Sequence, residues 1–227
     1  MPSLTLEIAA ALNTNDDWSI ELDPEDVDLQ TLLFNYPKAK DHGSKYTANS
    51  NGAGQSYIKP RIKLEFGARG DSEPSQLRTI KPYLAEEFPS ELPNAEFEFP
   101  TLSVVRTFWE KVTILHALHH NGKLRGSMSR HYYDTLMLAK SGIANIASQS
   151  PDLLQKVVLN KTLMFADKSA SYETAVLGSL RLVPPDETVM KLKQDYREME
   201  DMFMTAPPTF EELLAGILEI EQTLNQK

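Results

Sequence analysis

Apolar residues follow two kinds of spacing along this chain, and the change falls near residue 100. Trp18, Ile20 and Leu22 alternate with Ser19, Glu21 and Asp23, the period-two pattern of a half-buried strand. Leu32, Phe34 and Tyr36 repeat it before Pro37. Ile58, Ile62, Leu64 and Phe66 form the apolar side of a third strand, with Pro60 marking its start or an edge position. Between the second and third strands a polar run leads into Asn49-Ser50-Asn51-Gly52-Ala53-Gly54, a turn-rich stretch that predicts a long hairpin loop. Residues 1–13 fit two patterns. Leu4, Ile8, Ala11 and Leu12 suit a helix, Leu4 to Ile8 also alternates as a strand, and the helix is preferred. Residues 70–103 are punctuated by Pro74, Pro82, Pro89, Pro93 and Pro100 and are predicted to be irregular.

Beyond Ser103 the spacing turns helical. Ser103 is a candidate cap for a helix to about His120, and Ser129 for another over 130–140. Ser150-Pro151 is a helix entry with Leu153, Leu154, Val157 and Val158 behind it. Pro184-Pro185-Asp186 opens a helix carrying Val189, Leu192, Tyr196, Met199 and Phe203. Thr209 and Glu212 have capping-box spacing ahead of Leu213, Leu214, Ile217 and Leu224. The chain reads as α+β, with a sheet-bearing region over 1–100 and a helical region over 101–227.

Composition narrows the chemistry. Cysteine is absent, which excludes disulfides, thiol catalysis and cysteine metal sites. No apolar run approaches the ~18 residues of a membrane span, and no secretory signal pattern opens the chain, so a cytoplasmic protein is expected. The formal net charge is −9, but it is unevenly spread. Residues 57–81 carry six bases (Lys59, Arg61, Lys63, Arg69, Arg78 and Lys81) against Glu65, Asp71 and Glu73. Contact with a polyanion is therefore expected to be local and centred there.

Several groups are candidates for chemistry. Asp26-Val-Asp28 would place two carboxylates on one side of a strand, a magnesium-type arrangement, although such pairs also occur in solvated turns. His116, His119 and His120 share helical spacing. No acid sits between His116 and His120 to act as a base, so packed histidines are preferred to a metal site. Lys111 falls within an apolar stripe, where an ammonium either snorkels or meets an anion. Arg130 and Asp134 stand one helical turn apart in the less stable base-before-acid order. Glu65 shares a polar strand side with Lys59, Arg61 and Lys63, which makes either a charge ladder or a metal ligand beside phosphate-binding cations.

These features occur in a recognisable series: Tyr57 to Arg69, Arg78-Thr-Ile-Lys-Pro-Tyr83, Arg106-Thr-Phe-Trp-Glu-Lys111, Ser129-Arg-His-Tyr-Tyr-Asp134, Leu182-Val-Pro-Pro185 and Asp195-Tyr196. From about residue 17 onward the chain resembles the AbiEii/AbiGii toxin family of nucleotidyltransferases, found in bacterial toxin–antitoxin and phage-defence systems. The resemblance implies a nucleotidyltransferase-type mixed sheet followed by helices. It implies transfer of a nucleotide from a nucleoside triphosphate, with Mg²⁺, to an RNA such as tRNA, and a cognate antitoxin as partner. It also assigns Glu65, Lys111, Arg130 and Asp134 to catalysis, Glu65 to the metal, and Arg61, Lys63 and Arg69 to substrate binding. The family's opening Gly-Ser turn and following Asp-x-Asp have no counterpart here, since Asn15-Asp16-Asp17-Trp18 stands upstream of Asp26. The resemblance therefore implies a catalytically incomplete member, completed by a separately encoded N-terminal part, or else an inactive module that binds RNA or assembles with another chain.

Overall fold

In the computed structural model, residues 2–12, 19–36, 61–67 and 70–226 are described. They form two compact units. One comprises Met1–Gly70 with Glu200–Met204, and the other Asp71–Met199 with Thr205–Lys227.

The first unit pairs a helix with a small sheet. Helix α1 spans Pro2–Leu12, which settles the helix-or-strand choice for that segment. Strands β1 (Ser19–Leu22), β2 (Thr31–Asn35) and β3 (Arg61–Glu65) form an antiparallel sheet in the order β1-β2-β3. Its register places Ile20 opposite Phe34, Leu22 opposite Leu32, and Leu32 and Phe34 opposite Leu64 and Ile62. Residues directly opposite share a side, so the apolar alternation of all three strands converges on one side of the sheet. Leu32 is fully buried, whereas Ile62 on the outer strand is 52% exposed. Leu33, on the other side, is buried as well. The Thr5 hydroxyl of α1 donates to the Leu29 carbonyl, which ties the helix to the turn before β2. Trp18, Ile58, Lys59, Pro60 and the expected hairpin loop lie outside the described residues.

The second unit is mainly helical. It opens with a two-stranded antiparallel ribbon, β4 (Ser75–Ile80) and β5 (Phe97–Leu102), with the short helix α2 (Leu84–Glu87) between them. These strands replace the irregular segment read from the sequence. Pro100 is tolerated because each strand of such a ribbon has a free edge. The α+β class is as expected, and among the described residues every strand pair is antiparallel, so no mixed sheet is seen there. Residues 71–100 belong to the same compact unit as the helices.

The helices follow as α3 (Val104–Asn121), α4 (Ser129–Lys140), α5 (Ile143–Ser148), α6 (Pro151–Met164), α7 (Asp186–Glu198) and α8 (Phe210–Asn225). Helix α3 packs against α4, α5 and α6, and α4 also packs against α7 and α8. The core holds Phe108, Trp109, Val112 and Leu115 of α3, Tyr132 and Leu136 of α4, and Leu213 and Ile217 of α8. Burying each such side chain stabilises the fold by about 1.5–3 kcal/mol. Helix α3 ends at Gly122, whose φ of 58° suits the left-handed turn that stops it. The Thr209–Glu212 capping box forms as expected. Helix α4 starts one residue earlier than expected because its cap is not Ser129. The buried Asp195 carboxylate of α7 accepts from the backbone amides of Ser127 at 2.6 Å and Ser129 at 2.7 Å.

Candidate functional site

Lys111 occupies α3 beside the buried Phe108, Val112 and Leu115, and its side chain reaches across to α4. Its ammonium donates to Asp134 Oδ2 at 2.7 Å and lies 3.2 Å from His131 Nδ1. His131 and Asp134 are three apart and so share one side of α4. Burial, the Lys111 ammonium and the Arg130 guanidinium together push the His131 pKa down to about 4. The ring is therefore neutral near pH 7, with Nδ1 accepting from the ammonium. Arg130 itself is exposed and reaches this cluster through its charge. Lys161 of α6 adds another cation. Burial lowers its pKa most, the Glu110 carboxylate opposes the shift, and the Arg106 and Lys111 charges add to it. Its ammonium lies 4.8 Å from the centre of the Phe165 ring.

Arg106 is fully buried at the start of α3. Its guanidinium donates to Asp71 at 3.0 Å, to the Glu73 carbonyl, and to Glu110 at 3.2 Å. A buried guanidinium is tolerable only with such partners. Arg106 Nη2, Trp109 Nε1 and the Tyr132 hydroxyl are buried without a hydrogen-bond partner among the described residues. This side of α3 thus gathers cations next to a carboxylate that is only half-buried, an arrangement able to exchange an internal carboxylate for an incoming anion.

In the first unit, Arg61, Lys63 and Glu65 lie on β3 on the side opposite the apolar residues, as expected. Lys63 bridges two acids, at 3.0 Å from Glu65 and 3.4 Å from Asp23. Asp26 and Asp28 lie in the turn between β1 and β2 rather than on a strand. The Asp26 carboxylate accepts from the amides of Asp28 at 3.0 Å and Gln30 at 2.9 Å, and bonds to Thr31 and those amides hold its pKa low. Among the described residues no group of three His, Asp or Glu side chains can hold a metal ion. The carboxylates described here do not fit a divalent cation, because the Lys63 ammonium already lies between Asp23 and Glu65 and backbone amides occupy Asp26. Arg69 lies outside the described residues.

Two of the α3 histidines, His116 and His119, pack against neighbouring backbone, while His120 is exposed. Buried His116 has Nε2 3.1 Å from the Ser171 carbonyl, while its Nδ1 accepts from the Arg181 amide at 3.1 Å. His119 Nδ1 lies 2.6 Å from the Val183 carbonyl. Of the second-unit residues that the sequence pattern marks out, Lys111 and Asp134 meet directly. Arg106, His131 and Asp195 stand within the quoted segments but with no role assigned to them, and Lys161 lies outside those segments. Arg106 carries a legible signal all the same, since an arginine in a helix's first turn four residues before Glu110 repeats the unfavourable order seen at Arg130 and Asp134. His131 carries none.

A family model described as the nucleotidyl transferase AbiEii toxin of a type IV toxin–antitoxin system matches residues 6–216. No curated protein and no solved structure matches the chain.

Proposed function

The chain belongs to the AbiEii family of nucleotidyl transferase toxins, and on that footing we propose that it handles a nucleoside triphosphate and transfers its nucleotide to an RNA hydroxyl, tRNA being the first acceptor to test. The observation that carries this reading is the Lys111 ammonium held at 2.7 Å by Asp134 and flanked by neutral His131. A triphosphate oxygen would take the place of Asp134 as the partner of Lys111, with Arg130 and Lys161 adding positive charge. Attack by the acceptor hydroxyl on the α-phosphorus breaks the bond to the β-phosphate and releases pyrophosphate. Such transfer depends on positioning and on neutralising charge, and one well-placed donor contributes about 10²–10³ in rate. In the first unit, Arg61 and Lys63, with Arg69, attract the polyanionic substrate in this reading, and Glu65 is the candidate catalytic carboxylate. Divalent metal is the usual companion of this chemistry, Mg²⁺ being the first to test. The carboxylates described do not fit it, so no step is assigned to it. A cognate antitoxin is the expected protein partner.

A second reading has its own observation. Lys63 pairs with both Asp23 and Glu65, as in a protein that binds nucleotide or RNA without transferring anything, alone or with another chain. One experiment separates the two. The purified chain is incubated with labelled nucleoside triphosphates, Mg²⁺ and total tRNA, beside the Lys111→Ala variant. Label on RNA with the wild type, lost in the variant, supports transfer. Nucleotide binding without labelled RNA supports the second reading.

A further inference from the structure

The β4–β5 ribbon presents an unusual surface. A two-stranded ribbon is marginal alone in water, and this one leaves large apolar side chains uncovered, Phe97 at 55% and Phe99 at 56% exposed. Register sorts the residues by side. Gln76, Arg78 and Ile80 stand opposite Thr101, Phe99 and Phe97, while Leu77 and Thr79 stand opposite Pro100 and Glu98. The acid of the paired segment, Glu98, thus falls on the side away from Arg78 and the two phenylalanines. The rings of Phe97 and Phe99 are 6.4 Å apart and nearly perpendicular. Arg78 is directed by Gln76, whose carboxamide oxygen accepts from Nη2 at 2.8 Å. Lys81 and Tyr83 follow at the end of β4, both exposed.

We infer that this side of the ribbon is a stacking platform for single-stranded RNA. Unpaired bases stack on exposed aromatic rings and guanidinium planes, and cations beside the rings take the phosphates. One side of the paired residues supplies both components, two rings and the Arg78 guanidinium, with Glu98 turned away. The inference rests on the proposed transfer to RNA, for which it names the acceptor-binding surface. That surface lies apart in sequence from Lys111 and Asp134, so the two ideas can fail separately.

The test is fluorescence anisotropy of the full chain with a labelled, unstructured single-stranded RNA, without nucleoside triphosphate. Wild-type protein should bind it, and bind the same sequence as a duplex more weakly. Phe97→Ala or Phe99→Ala alone should weaken binding roughly 5- to 150-fold, by the usual loss per stacked base, and the double variant further. Arg78→Ala should weaken it and flatten its salt dependence, whereas Phe99→Tyr, which keeps a ring, should bind like wild type. Lys111→Ala should bind RNA normally even where transfer is lost. The inference is overturned if the wild type does not bind, if the alanine variants bind equally well, or if Phe99→Tyr loses binding as fully as alanine. It is also overturned if sedimentation shows two copies joined through the ribbon in a form that excludes RNA. Should the double variant fail to fold, Arg78→Ala and Phe99→Tyr decide the matter.

Discussion

The Lys111 ammonium on α3 lies 2.7 Å from Asp134 on α4. Both groups are partly exposed, so the pair contributes little to stability, on the order of 1 kcal/mol or less. Its expected value is functional. Lys111→Ala should leave the urea midpoint nearly unchanged while lowering nucleotide transfer by about 10²-fold. Asp134→Asn should keep the lysine in place and remove the competing charge, so binding of a triphosphate analogue measured by calorimetry should tighten or stay level. A loss of analogue binding in Asp134→Asn would mean that the carboxylate itself contacts the ligand.

Stability should fall on mild acidification. His116 and His131 both have pKa values lowered to about 4 in the folded protein, burial being the main cause in each. The unfolded chain titrates near 6.5, so between about pH 6.5 and 4 it binds more protons than the folded one. Stability is therefore complete above about pH 6.5 and declines as pH falls towards 4, by at most about 3 kcal/mol per histidine. Urea unfolding at pH 7.5 and pH 5 measures this, and His116→Gln should flatten the difference. An identical midpoint at the two pH values would contradict the buried, neutral assignment.

Asp195→Ala should be costly. It removes the acceptor of the half-buried Ser127 amide and of the buried Ser129 amide at the entry to α4, a loss of roughly 2–4 kcal/mol. Thr209→Ala breaks the solvent-exposed cap of α8 and should cost about 1 kcal/mol. Denaturant titration of the two variants side by side checks the ranking.

Gly216→Ala should not yield the usual gain. Replacing a mid-helix glycine normally stabilises by about 1 kcal/mol, but a Cβ here would lie 2.5 Å from Leu136 Cδ1. Leu136 is buried, so the clash offsets the gain. In a Leu136→Ala background the same substitution should become stabilising, and a double-mutant cycle measures the reversal.

The elements that local chemistry decides are legible in the sequence. Ser103, Ser150-Pro151 and the Thr209–Glu212 box mark α3, α6 and α8 because a cap and its helix are neighbours in the chain. The start of α4 is displaced by one residue because its cap comes from Asp195. The β4–β5 ribbon is hard to read because its alternation is short: Phe97 and Phe99 alternate with Glu96 and Glu98, but Leu77 and Ile80 of β4 fall on opposite sides, and the prolines argue for irregularity. At the candidate site, Lys111 and Asp134 are visible as local misfits. His131 and Lys161 are not, because only packing against α3 makes a histidine or lysine unusual. The Asp26–Asp28 pair suits a metal on a strand, but the chain turns there and its amides use the carboxylate.

The Asp195 cap also bears on when α4 forms. Its oxygen meets the Ser129 amide across 66 positions of chain, so during synthesis the first turn of α4 emerges long before its acceptor exists. Contacts of such sequence separation pay loop-closure entropy before they reward it, and the end of α4 should close only once α7 has docked. In kinetic terms Asp195 is expected to act after the rate-limiting barrier. Its substitution should then appear chiefly as faster unfolding, with refolding almost unchanged, and the lifetime of the native state, rather than its rate of formation, should depend on this one carboxylate.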